Sequence, residues 1–277
     1  MYKIGLSVVS YLATAEMFQN LKNAGFFAIE ISHSSTKHLE YDNLPQFAAW
    51  AKQYGIDLWS YHLPFWDDNM NFISISDAEN ADATVKLFCD LIEQGVSVGI
   101  KNFVIHPSGE PIKDEDRSAH LKRARQSLRT LADFASKKGA VICVENLPRT
   151  CLGKNSEELL ELISAHPALR VCFDTNHLLK ESYVDFICSL KEKIVTTHIS
   201  DYDFVDEKHW LPGEGFVDWG LLYHTLQSVG YDGVWLYELG FHNDKLPRSR
   251  DLTCEDFARN AKEIFEGTPI PTLLMKS

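Results

Sequence analysis

Short apolar runs rich in β-branched and aromatic residues alternate with longer amphipathic segments along the whole chain. No other feature constrains the fold as strongly. The runs are KIGLSVV (3–9), FAIEIS (27–32), DLWSYHL (57–63), NFVIHPS (102–108), VICVEN (141–146), RVCFDT (170–175), IVTTHIS (194–200) and VWLYEL (234–239). Several are too continuously apolar to have a wet face, which is the signature of parallel strands covered on both sides. Between them lie helical patterns. TAEMFQNLKNAGF opens at a Thr14 cap and closes at Gly25, DAENADATVKLFCDLIEQGVSVG opens at Asp77, and SAHLKRARQSLRTLADFASKKG runs from a Ser118 cap to Gly139. SEELLELISAH opens at Ser156, DWGLLYHTLQSVG ends at Gly230 and TCEDFARNAKEIFEG ends at Gly267. Caps, first-turn acids and terminal glycines agree with one another. Eight strands, each followed by a helix, predict an α/β fold, a single (β/α)8 TIM barrel over residues 1–277 with 265–277 as a tail. An open doubly wound sheet is the competing arrangement, but no GxGxxG or phosphate-loop pattern follows the first run.

Length and charge narrow the function. The 277 residues suit one α/β barrel, and a net charge of −12 disfavours a nonspecific grip on nucleic acid or anionic membrane. Of the six cysteines none forms a CxxC pair, and Cys143 and Cys172 sit inside apolar strand runs. That usage predicts a reduced, cytoplasmic protein rather than a disulfide scaffold. MYK passes straight into IGLSVV with no basic-plus-apolar leader, and no apolar stretch is long enough to span a bilayer.

The stretch RVCFDTNHLL (170–179) ends a buried run on a carboxylate, a hydroxyl, an amide and an imidazole. A helix cap at Asp174 or Thr175 is one explanation; a metal ligand is the other. The neighbouring runs bear on the choice. His62, His106, Glu145, Asp174, His198 and Glu238 stand at or just past the ends of the third to eighth runs in turn. Each has an ordinary explanation alone, as a loop histidine, a cap, a core histidine or half of an ion pair. In a barrel, however, these ends converge on one rim. Two glutamates and an aspartate there would repel, and a divalent cation compensates them most simply. His177 follows one turn after Asp174, and the loop DYDFVDEKHWLPGEGFVDW carries Glu207, His209 and a candidate helix cap at Asp218. Its glycine turn at 213–215 is a candidate phosphate site. Trp66, in HLPFWDDNMNF, offers a flat face for a sugar or simply packs the loop.

The segments YHLPF, VIHPS, VENLPR, FDTNH, THISD, HWLPGEG and YELG span the third to eighth runs. They resemble the sugar isomerase/epimerase superfamily with xylose-isomerase-like barrels, in particular ketose 3-epimerases and inosose or hydroxypyruvate isomerases. The resemblance implies that Glu145, Asp174, His198 and Glu238 bind one divalent metal. A shell of this kind accepts Mn, Co, Mg or Zn with little discrimination. It further implies that Glu145 and Glu238 are the catalytic proton-transfer residues on opposite faces of the substrate. His177 is then a substrate contact, and His62, Trp66 and His106 are further substrate-binding candidates. A hydroxyketone held through adjacent oxygens on a cation has an acidified α C–H. Returning the proton to the other face of the same carbon epimerises it; returning it to the neighbouring carbon interconverts aldose and ketose. The expected partner is a small-molecule sugar, with a homodimer as the assembly. One departure stands out: the arginine that ketose epimerases carry after the seventh-strand histidine is missing from HISDYDFVDEK, leaving Arg149 and Lys208 as substitutes.

Endonuclease IV-type enzymes share the same superfamily and cut DNA at abasic sites with three zinc ions. Their extra ligand positions resemble His62, His106, His177, Glu207 and His209, with Glu207 where an aspartate is expected. The acidic loops WDDNMNF and DYDFVDEKHW disfavour a DNA substrate. A non-catalytic binding barrel would be expected to lose one of the two glutamates, and dehydratase or lyase chemistry needs a positioned leaving group.

Overall fold

The computed structural model describes residues 1–275. Its strands are β1 (Ile4–Val9), β2 (Ala28–Ser32), β3 (Asp57–His62), β4 (Asn102–Ile105), β5 (Val141–Glu145), β6 (Arg170–Asp174), β7 (Ile194–His198) and β8 (Trp235–Tyr237). They form one parallel sheet in the order β7-β6-β5-β4-β3-β2-β1-β8. The two ends of the sheet meet at an Ile199–Tyr237 bridge. There Ile199 N–H donates to Leu236 O at 2.8 Å and Glu238 N–H donates to Ile199 O at 3.1 Å. The sheet is thus a (β/α)8 TIM barrel, as the alternation predicts, and not an open doubly wound sheet.

Eight helices follow the strands: α1 (Ala15–Asn23), α2 (Leu44–Tyr54), α3 (Ala81–Ser97), α4 (Asp114–Ser136), α5 (Ser156–Ile163), α6 (Tyr183–Leu190), α7 (Trp219–Ser228) and α8 (Cys254–Glu266). Thr14 caps α1 and Asp218 caps α7 as expected. Other starts differ. Helix α3 begins at Ala81, because Asp77 spends its carboxylate on the N–H groups of Glu79 and Asn80 in the preceding turn. Helix α4 begins four residues before Ser118, with Asp114, Glu115 and Asp116 lying in the favourable field of its N-terminus. Helix α5 is capped by Asn155, whose oxygen accepts from Glu158 N–H at 2.9 Å, while Ser156 turns away to Glu181.

The outward strand faces and the helices build the main core, in which Phe18, Phe88, Leu128, Phe186 and Phe257 are buried. Inside the barrel the lower positions are small or aliphatic: Ala28, Val234 and Leu236 form one cluster and Val104, Cys143 and Cys172 another. Trp59 Nε1–H crosses from β3 to donate to Thr196 Oγ1 of β7 at 3.0 Å. Above this level the interior is polar. Two register shifts set that layer. The β2–β3 pairing steps from Ile29↔Leu58 to Glu30↔Ser60, and the β6–β7 pairing from Val171↔Ile194 to Cys172↔Thr196. A bulge re-aims the residues that follow it; here the shifts bring Glu30 beside Ser60 and Asp174 beside His198.

Candidate active site

The strand ends deliver the predicted side chains to one place. Glu145, Asp174, His198 and Glu238 each offer a ligand atom within 4.8 Å of the others. His198 Nδ1 is the common vertex, 3.0 Å from Glu145 Oε1, 3.3 Å from Glu238 Oε2 and 3.9 Å from Asp174 Oδ2. Asp174 Oδ2 is buried without a hydrogen-bond partner. Three carboxylates around one imidazole, one of them with an orphaned oxygen, form a donor set that a divalent cation would complete. His62 Nε2 and His106 Nε2 approach the other oxygen of Glu145, Oε2, at 3.1 and 3.2 Å. His177, Glu207 and His209 make a second group with the same mutual spacing, in which His177 Nε2 lies 3.2 Å from Glu207 Oε2.

In the run Asp174-Thr175-Asn176-His177 the cap expected at Asp174 is present and uses only one carboxylate oxygen. Asp174 Oδ1 accepts from Asn176 N–H at 2.6 Å and so caps a single 3-10 turn, while Oδ2 remains for the cluster. Thr175 Oγ1 donates to Ser200 O at 2.7 Å, tying β6 to the end of β7. Asn176 Oδ1 accepts from Lys208 N–H at 2.9 Å, which positions the long loop after β7. His177 Nδ1 faces Asn146 O at 2.9 Å. Since only a protonated nitrogen can bond a carbonyl, Nε2 is left to face Glu207. The Asn146 side chain in turn bonds both backbone polar groups of Asp174, at 2.9 and 2.8 Å. His62 and His209 follow the same rule. Their Nδ1 atoms face Leu63 O at 2.9 Å and Glu238 O at 3.1 Å.

A cavity of about 200 Å³ opens above the cluster, lined by His62, Trp66, His106, Glu145, His177 and Glu238 among others, with Glu207 and His209 at its edge. Asp174 and His198 form its fully buried floor. Phe65, Trp66 and Phe72 supply an apolar wall, and Phe65 stacks on His106 with ring centroids 4.3 Å apart. Of the two substitutes for the missing arginine, Arg149 lines the cavity. It donates to Glu110, to Asp206 at 2.7 Å and to Glu207 at 3.2 Å, bridging two loops across the mouth. Lys208 pairs with Asp203 at 3.5 Å instead and does not line the cavity. The glycine turn offers no phosphate site. Gly213 and Gly215 N–H groups donate to Asp201 Oδ2, at 2.8 and 3.0 Å, so a carboxylate of this chain already occupies that nest.

Electrostatics follow from burial against pairing. Burial disfavours the charge of Glu145, but His198 and hydrogen bonds from His106, His198 and His62 hold its carboxyl well below the ordinary range. Glu238 is depressed too: burial opposes its charge, and His198 overcomes it. For Asp174, burial prevails and pushes the carboxyl well up. Burial alone would neutralise His177, yet Asp174, Glu207 and Glu145 raise its imidazole to about 10. The site keeps charge on the two glutamates that flank the cavity and withholds it from the floor aspartate.

Sequence reasoning missed the residues that organise this site from behind. Glu30 is completely buried and faces His198; its signal was a carboxylate inside the continuous apolar run AIEIS. Asp201, within THISD, accepts from Gly213, Gly215 and Val217 N–H and from Trp219 Nε1–H, clasping the loop after β7.

Residues 18–259 match the family model described as the xylose isomerase-like TIM barrel. The chain belongs to that family. Within the curated relatives it is 26% identical over 243 residues to the uncharacterized protein MJ1311 of Methanocaldococcus jannaschii, covering 84% of this chain and 82% of that one. Among solved structures it is similar to a D-tagatose 3-epimerase-like protein, with 23% identity, TM-score 0.76 and coverage of 95% and 96%. It also resembles 3-keto-D-glucoside 4-epimerase YcjR of E. coli, with 18% identity, TM-score 0.75 and coverage of 96% and 100%. An AP endonuclease, family 2, of Brucella melitensis superposes with 18% identity, TM-score 0.70 and coverage of 86% and 92%. At such identities these structures carry the fold alone. Among the described residues, no helix is long and apolar enough to cross a membrane.

Proposed function

We propose that the protein is a divalent-metal-dependent isomerase or epimerase of a small sugar or related polyol ketone. The observation that carries this reading is the pairing of Glu145 and Glu238 around one ligand cluster beneath a cavity of about 200 Å³. That volume lies below the roughly 300–1,000 Å³ of a drug-sized ligand site and suits one sugar unit. Glu145, Asp174, His198 and Glu238 would hold the ion, which supplies polarisation of adjacent substrate oxygens and so acidifies the α C–H. One glutamate carboxylate takes that proton and the other returns a proton, on the same carbon or its neighbour; such help is typically worth ~10²–10⁴-fold. Hydrogen bonds from His62 and His106 hold the Glu145 carboxylate in place at Oε2. Trp66, Phe65 and Phe72 would shield the reacting face from water, and His177, which lines the cavity with its Nε2 3.2 Å from Glu207 Oε2, would contact the substrate. The epimerase names of two structural neighbours are of the same kind.

A second reading has one specific observation in its favour. His177, Glu207 and His209 form a further ligand group beside the first, and His62 and His106 flank Glu145. A trinuclear zinc phosphodiesterase acting on abasic DNA would use all of them. Arg149 on Glu207, and the carboxylates of Glu110 and Asp206 at the mouth, disfavour it.

Elemental analysis of protein purified without chelator separates the two, with about one divalent ion per chain expected against three zinc ions. Solvent-proton exchange into a panel of ketoses in heavy water then tests the chemistry. Glu145→Gln and Glu238→Gln should each abolish exchange. Full exchange by either variant would overturn its role.

A further inference from the structure

The histidines around the cavity are not held alike. His62, His177 and His209 each turn Nδ1 to a backbone carbonyl and present Nε2. His198 is reversed. It presents Nδ1 to the three carboxylates of the cluster, and its Nε2 lies 3.1 Å from Glu30 Oε1 and 3.3 Å from Glu30 Oε2. Glu30 comes from β2, nearly opposite β7 in the ring of strands, so this contact crosses the barrel axis. Both residues are fully buried. The Glu30 carboxylate is itself fixed by two hydroxyls: Ser7 Oγ–H donates to Oε1 at 2.8 Å and Ser60 Oγ–H to Oε2 at 2.6 Å. The β2–β3 register shift is what brings Ser60 beside it.

We propose that Glu30, held by Ser7 and Ser60, is the positioning residue of the metal centre. A buried carboxylate facing Nε2 demands a proton there. That fixes the ring orientation and leaves the Nδ1 lone pair free for a cation. Such outer partners orient a ligand histidine and raise its basicity, and their loss typically costs 10–100-fold in metal affinity. Glu30 touches neither the cavity nor any substrate atom, so its effect passes through His198 alone. The inference rests on the metal site proposed above, and the experiment keeps the two apart.

The experiment titrates Mn²⁺ alone into metal-free full-length wild type, Glu30→Gln and Ser60→Ala, with circular dichroism to verify the fold. Absence of Mn²⁺ binding by the wild type would sink the metal-site reading itself. Given wild-type binding, Glu30→Gln should bind ~10–100-fold more weakly. Affinity within threefold of wild type in a folded Glu30→Gln overturns the inference and leaves the metal site standing. If Glu30→Gln does not fold, Ser60→Ala decides: it keeps the carboxylate but frees one oxygen. A several-fold weaker Kd supports the inference and an unchanged Kd overturns it. A merely structural role has a different signature. In Zn²⁺-loaded wild type the His198 Nε2 proton should be protected from exchange and visible by NMR, and in Glu30→Gln it should exchange rapidly.

Discussion

Replacing Asp174 by asparagine should stabilise the metal-free protein while removing its response to metal. The carboxylate is fully buried. One oxygen accepts the Asn176 N–H at 2.6 Å, but Oδ2 has no hydrogen-bond partner. Burial disfavours its charge, His177 with Nδ1 3.4 Å from Oδ2 opposes this, and the carboxylates of Glu238 and Glu145 add to the burial, so that the carboxyl is pushed well up. Asparagine keeps the size and the acceptor to Asn176, and places an N–H₂ donor where the orphaned oxygen was. Relieving a buried unsatisfied polar group is worth about 1–3 kcal/mol. For 277 residues the unfolding entropy is about 0.6 kcal/mol/K, so each kcal/mol moves the melting midpoint by roughly 2 °C. The metal-free variant should therefore melt about 2–5 °C above wild type. Metal reverses the benefit. At a hundredfold excess over Kd, a ligand stabilises its site by about 2.7 kcal/mol, or roughly 4–5 °C here. Wild type should show that rise with Mn²⁺, and the variant, lacking one anionic ligand, should move by less than about 1 °C. Thermal melts at pH 7 with EDTA and with Mn²⁺ measure both quantities. A lower metal-free midpoint in the variant, or an undiminished metal shift, would refute the reasoning.

Two further perturbations probe the scaffold. A Cβ on Gly215 would collide with the Asp201 carboxylate and the Tyr202 carbonyl, whereas one on Gly220 would only touch Asp218 Oδ1 at 3.5 Å. Gly215→Ala should therefore lower the melting midpoint by about 2–5 °C through overpacking of about 1–3 kcal/mol, while Gly220→Ala, in α7, should leave it equal or slightly higher. Equal losses in both would mean that the clasp around Asp201 is not what orders the loop. Asp256 tests the acid side of stability. Burial opposes its charge, but Arg250 and the Thr253 N–H outweigh that and hold its carboxyl at about 2 against an ordinary 3.8. A depressed carboxyl contributes stability that is complete above pH 4 and disappears as pH falls through about 2. Asp256→Asn should thus cost about 1–2 kcal/mol at pH 7, the half-exposed arginines screening the rest, and the cost should fall away as pH drops through about 2. A pH-independent difference between wild type and variant would contradict this.

The barrel was legible in the sequence because each strand is a short run that must be covered on both faces. The same logic hid two helices. Helix α6 is built from Tyr183, Val184, Phe186, Ile187 and Cys188, a composition that reads as strand. Helix α2 was not singled out although it carried its marks in plain view, an Asn43 cap, Pro45 in the first turn, a left-handed Gly55 at its end and a buried face of Leu44, Phe47 and Ala51 at helical spacing. The convergence of Glu145, Asp174, His198 and Glu238 was legible because strand ends have fixed addresses in a barrel. Glu30 was not, since it stands mid-strand, and only the register shift at Ile29/Glu30 decides what it meets. Long-range partners such as Ser7, Ser60 and His198 lie up to 168 positions away in the chain. No spacing rule links them.

The floor of the cavity and its mouth constrain the chemistry differently. A floor of two glutamates, an aspartate and a histidine serves any reaction that needs a hard cation, whether proton transfer or hydrolysis. The mouth is more selective. One guanidinium, Arg149, is shared among the carboxylates of Glu110, Asp206 and Glu207. The rim therefore keeps a surplus of negative charge even where its cation sits. A phosphodiester backbone approaching to within about 8 Å, the screening length at physiological salt, meets that surplus unscreened. A neutral polyhydroxy ketone is not repelled. Its hydroxyls are donors for those carboxylates, and its apolar ring face has Trp66 and Phe65 to rest on. Selection by charge at the mouth and chemistry by cation at the floor are separable. On that basis the acidic rim favours a neutral sugar over a phosphodiester as the substrate of the proposed function.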